Sequence, residues 1–138
     1  MKRTILTLFV IVVPTSICLL PTVALGANAP ALFAASRSLI SASSSPGNAY
    51  LAGISVVSTA PITGDLSAVG GSIVVAAPIR GDGFLFGGST NVRAPISGDL
   101  RAVGGSVDIK GLVGGDFIAL GYDVFNAASV GGNSLIFA

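Results

Sequence analysis

Asp65, Asp82, Asp99 and Asp116 recur at intervals of 17 residues, each directly after a glycine. Gly47-Asn48 and Gly132-Asn133 extend the same register on either side without insertion or deletion. Carboxylates at a fixed period raise one chemical possibility first, a row of ligands for calcium or another hard cation. The spacing is not that of the nonapeptide calcium repeat. Aspartates that bond their own local backbone at a corner and face solvent are the reading the residues favour. No metal or cofactor is assigned to them.

A second polar column holds Ser55, Ser72, Ser89 and Ser106, aligned with Asp123. As nucleophiles these hydroxyls have no base to activate them. The chain contains no histidine and no glutamate. That removes Ser-His-Asp and Cys-His systems and zinc sites built on Cys and His. No phosphate-binding glycine loop stands between a strand and a helix. A hydroxyl ladder beside a glycine corner is the structural alternative, and the protein is expected not to be an enzyme.

The period itself carries the fold. From residue 47 the units follow G-D-L-x-A-V-G-G-S-V-x-V-x-A-P-I-x, with a last unit, GNSLIFA, from 132. A fixed short period marks a repeat architecture in which stacked units share one core. Three places in each unit look like corners. One is the Gly-Asp step: Gly64-Asp65, Gly81-Asp82, Gly98-Asp99 and Gly115-Asp116. Another is the glycine pair opened by Gly70, Gly87 and Gly104, and the last is Ala-Pro at Pro61, Pro78 and Pro95. Glycine supplies backbone angles closed to other residues, and stacked prolines belong at bends.

Between corners the runs alternate and are β-branched. Val56, Ile73, Thr90, Val107 and Val124 form one column, and Ile62, Ile79, Ile96, Val113 and Val130 another. Such alternation reads as half-buried strand. Three corners and three short sides per unit predict an all-β protein, a triangular β-helix of about five to six coils over residues 47–138. Adjacent coils would stand ~4.8 Å apart.

One pair of columns is ambiguous. Leu51, Ala68, Leu85, Ala102, Ala119 and Ile136 are apolar, and so are their next neighbours, Ala52, Val69, Phe86, Val103, Leu120 and Phe137. Successive strand residues face opposite sides. Either the chain bends there and both columns are buried, the preferred reading, or the second is an exposed apolar stripe. Such a stripe would be a self-association surface.

Hydrophobic residues make up 51% of the 138-residue chain and charged residues 9%. That bounds one modest domain, too apolar for disorder. Lys2 and Arg3, the apolar run over 5–13 and Ala24-Leu25-Gly26 read as a signal peptide over 1–26. An uncleaved membrane anchor is the alternative, since 5–25 is long enough to span a bilayer. Pro14, Thr15 and Ser16 favour cleavage. The protein is then exported: periplasmic, cell-surface or secreted. Residues 27–46 are Ala/Ser-rich and read as a flexible linker or a short helix capping the first coil. Beyond residue 26 there remain five Arg or Lys against six Asp. No basic patch for nucleic acid survives.

The pattern over 98–116, GDLRAVGGSVDIKGLVGGD, resembles the bactofilins, bacterial polymer-forming cytoskeletal proteins. The resemblance covers about residues 47–138. It implies a right-handed triangular β-helix without catalytic residues, assembling end to end into scaffolding filaments. Bactofilins work in the cytoplasm, whereas this chain carries an export signal. The expected function is therefore a structural protein of the cell envelope whose partner is itself, with membrane or cell-wall components beside it. A surface adhesin or passenger-type binding module on the same solenoid is the alternative. The repeat is still running at Ala138, so either coils assemble there or the chain is part of a longer protein.

Overall fold

The computed structural model describes residues 30–138. The signal peptide expected over 1–26 lies outside them. Seven parallel strands form one sheet in chain order: β1 (Leu32–Ser41), β2 (Ala49–Ser58), β3 (Leu66–Val75), β4 (Gly83–Val92), β5 (Leu100–Ile109), β6 (Phe117–Asn126) and β7 (Ser134–Phe137). Each residue pairs with the one 17 positions on, so Leu51, Ala68, Leu85, Ala102, Ala119 and Ile136 stack in one file. This is a β-solenoid of about six turns.

Every full coil has three sides. The first and second are the two halves of the strand. The ladder skips Ile54, Gly71, Gly88 and Gly105, where the chain turns. The third is a single-bridge ladder through Ser45, Ile62, Ile79, Ile96, Val113 and Val130. Pro61, Pro78 and Pro95 sit exposed between the second and third sides. They lack a donor but serve as acceptors: Ile62 N–H donates to Pro78 O at 3.1 Å and Ile79 N–H to Pro95 O at 3.0 Å.

Side chains from all three sides meet in one core. The second side contributes Val56, Ile73 and Val107, the third Ile62, Ile79 and Ile96, all buried. On the first side, volumes compensate within each coil. Ala49 goes with Leu51, Leu66 with Ala68, Gly83 with Leu85, Leu100 with Ala102 and Phe117 with Ala119, so one large and one small residue fill each layer. Constant layer volume lets successive coils keep the same cross-section at crystal-like density.

Residues 32–41 are strand, not a capping helix or a linker. Leu32, Ala34 and Leu39 pack on the core at the positions of Ala49, Leu51 and Val56. A strand gives the edge of β2 the hydrogen-bond partners that a helix laid across it could not. The solenoid thus begins one coil earlier than the Gly-Asp register. That coil has Pro30-Ala31 and Ser36-Arg37 where later coils have Gly-Asp and a glycine pair.

The Gly-Asp corner joins each coil to the next. Asp65 Oδ1 accepts the N–H of Asp82 at 2.9 Å, Asp82 Oδ1 that of Asp99 at 2.8 Å, and Asp99 Oδ1 that of Asp116 at 2.9 Å. Asn48 and Asn133 close the series at its two ends. The aspartates therefore bond the next coil, not their own local backbone as expected. A Cβ on Gly81 would fall on the Asp65 carboxylate, and one on Gly98 on that of Asp82. No described glycine has a positive φ. Glycine is required here for close approach rather than for unusual angles. In the first described coil Ala31 stands at the aspartate position and offers no side-chain acceptor to the next coil.

Two stability predictions follow from these bonds. Asp82→Ala strips the acceptor from the Asp99 N–H and should cost about 1–2 kcal/mol in urea unfolding. Asp82→Asn keeps the oxygen, as Asn48 does for Asp65 at 3.0 Å, and should stay within about 0.5 kcal/mol of the parent. Equal losses for the two variants would show that the bond is not what holds the corner. Thr90 is buried in a column of Val and Ile, and its hydroxyl has no partner. Thr90→Val should therefore raise the unfolding free energy by about 1 kcal/mol.

Candidate functional site

On the first side the strand runs straight through the ambiguous pair of columns, and the turn comes two residues later. Alternation therefore holds. Ala68, Leu85 and Ala102 point into the core, while Val69, Phe86, Leu120 and Phe137 are more than half exposed and Val103 partly so. The burial of both columns at a bend is overturned, because a straight strand cannot turn neighbours to one side. The exposed stripe is present.

It is also wider than the sequence suggested. Two positions back along each strand lies a second outward column: Phe33, Tyr50, Ser67, Phe84, Arg101, Ile118 and Leu135. Read along the chain, these residues look mixed, and Tyr50 has no counterpart at Tyr122, which sits at the turn. Only the phase of the strand, fixed by the buried Leu66, Leu100 and Phe117, brings them onto one surface. Phe33 is 74% exposed and Phe84 55%. The rings of Phe33 and Tyr50 stack with centroids 4.8 Å apart.

Together the two columns make a flat apolar face along the whole described solenoid. Its polar residues are Ser67 and Arg101. The Arg101 guanidinium lies 5.5 Å from the Phe84 ring centroid and 3.4 Å from Asp99 Oδ2, so its charge is already engaged on two sides. At the β1–β2 end the outward column narrows to Ala35 and Ala52. A shallow groove of about 470 Å³ opens there, bounded by Phe33, Tyr50 and Val69. Contiguous apolar surface on this scale marks an interaction site.

The second side is different in kind. Asn91 Nδ2 donates to Asp108 Oδ2 at 3.1 Å, Arg93 Nε to Asn91 Oδ1 at 3.0 Å and Lys110 Nζ to Asp108 Oδ2 at 2.7 Å. The outward serines Ser72, Ser89 and Ser106 lie exposed on the same side. Among the described residues no three metal-ligating side chains come together.

The remaining sequence-picked positions are structural. Gly70, Gly87 and Gly104 stand at the turn between first and second sides. A Cβ on any of them would press on the carbonyl of the glycine one coil earlier. Gly64, Gly81, Gly98 and Gly115 leave room for the preceding Asn or Asp side chain. No family model, curated protein or solved structure matches the chain.

Neighbouring residues on the first side should respond oppositely to truncation. Leu85→Ala opens the core and should cost about 3 kcal/mol. Phe86→Ala removes an exposed ring and should cost less than about 1 kcal/mol. Matched losses in denaturant titration would contradict the alternation described above.

Proposed function

We propose that this protein is a non-enzymatic structural component of the cell envelope that self-assembles by stacking β-solenoid coils end to end. The observation that carries the reading is the uninterrupted in-register ladder. All seven strands repeat at one spacing, with no loop thrown out from any coil. Each coil therefore offers the next the same row of backbone donors and acceptors, and an unpaired strand edge templates another. The outer strands β1 and β7 of the described sheet each pair on one side.

Export rests on Lys2, Arg3, the apolar run over 5–13 and the Ala24-Leu25-Gly26 end. The resemblance of the repeat to the bactofilins adds support for a polymer, here as an exported variant. The polar side chains at the corners are committed to holding coils together, which suits a scaffold. A second reading, a surface binding module displayed on the solenoid, draws on the exposed ring column of Phe33, Tyr50 and Phe84.

Electron microscopy of the purified protein at high concentration distinguishes them. Filaments with a meridional repeat near ~4.8 Å are the expected result. A folded species that forms no filaments at any concentration removes the end-to-end reading.

A further inference from the structure

The apolar face of the first side is graded in size. From β1 to β7 its stripe reads Ala35, Ala52, Val69, Phe86, Val103, Leu120 and Phe137. Small residues floor the groove at one end, and bulky ones stand proud at the other. We propose that two copies of this chain pack these faces together, with solenoid axes antiparallel, about a two-fold axis that runs along strand β4.

In that arrangement β1 of one copy lies over β7 of the other, β2 over β6 and β3 over β5. The groove floored by Ala35 and Ala52 receives Phe137 and Leu120 of the second copy. Val69 meets Val103, and Phe86 meets its own counterpart on the axis. Ser67 comes over Arg101, so the polar residues of the face meet each other and the guanidinium gains a hydroxyl acceptor. A self-complementary patch of this kind is what an isologous two-fold interface requires.

The other two-fold, along the solenoid axis, lays each strand on its own counterpart. It sets Leu135 against Phe137 and Arg101 against Val103. That buries a charge beside an aliphatic side chain with no polar residue opposite it, which is costly.

The area suffices. Aromatic side chains bury roughly 150–250 Å² each, and nine large apolar residues about half exposed offer roughly 800 Å² per copy, the share of a standard stable interface. Two flat β faces pack about 10 Å apart. The pair would present one β1 edge and one β7 edge at each end, so stacking it yields a filament without polarity. The lateral contact uses neither coil edge and is independent of the stacking proposed above.

Cross-linking tests the arrangement in the full chain carrying Cys18→Ser. Phe86→Cys, on the axis, should give a cross-linked dimer with a short bis-maleimide that spans about 10 Å, the separation of packed β faces, and the double variant Ala52→Cys, Leu120→Cys should do the same. Ser72→Cys, on the polar side, should not. Phe84→Asp with Phe86→Asp should weaken dimerisation at least tenfold in sedimentation equilibrium, with the β circular-dichroism signal unchanged. Reactive thiols at 86 that fail to link, or linking at 72 as fast as at 86, overturn the proposal. So does a monomer that floats with phosphatidylcholine vesicles, which would assign the face to lipid. Filaments without the cross-link at 86 would remove lateral pairing and leave end-to-end stacking; a cross-linked dimer that never forms filaments would do the reverse.

Discussion

The oxygen that each corner aspartate gives to the next coil is the contact on which the rest of the solenoid rests. At that corner the backbone N–H of Asp82, Asp99 and Asp116 points toward the coil before it, where a carboxylate oxygen receives it. The side chain can reach only because the residue before the donor is glycine, as Gly81 is before Asp82. Around it the backbone closes the corner: Gly98 N–H donates to Gly81 O at 3.1 Å and Leu66 N–H to Asp82 O at 2.8 Å. Glycine and aspartate are thus two halves of one joint, and neither has a reason to be there without the other.

A joint repeated at one spacing forces every coil to have the same outline. The core meets that demand by exchanging large for small within a layer, as Gly83 with Leu85 against Leu100 with Ala102. The outward positions are under no such constraint, and they diverge by side. The second side is mixed, with a polar cluster of Asn91, Asp108 and Lys110 between the exposed Ile40 and Phe125. The first is apolar from Phe33 to Phe137. A rod whose most continuous apolar surface lies on one side has a preferred way to meet its neighbours.

Much of this was legible in the residues. The period, the three corners and the core columns of Val56 and Ile62 follow from spacing and alternation alone. What escaped has physical causes. The first described coil has Pro30-Ala31 and Ser36-Arg37 in place of the Gly-Asp and Gly-Gly marks, so Leu32, Ala34 and Leu39 read as helix or linker. The column of Phe33, Tyr50, Phe84 and Ile118 looked mixed because surface positions carry no shared volume or charge requirement. The aspartates were expected to bond locally, since a sequence shows near neighbours and hides the chain 17 residues away.

By itself the sequence determined that the chain stacks as a solenoid, that glycines and prolines mark its corners, and that the Val56 and Ile62 columns fill the core. Those follow from a strict period and from backbone rules that act within one unit. Only the tertiary structure decided where the strand bends relative to the Leu85–Phe86 step. That choice places Phe86 outside and Leu85 inside. The bend is set by carbonyls pressing on glycines one coil apart, a contact between units that no single unit contains.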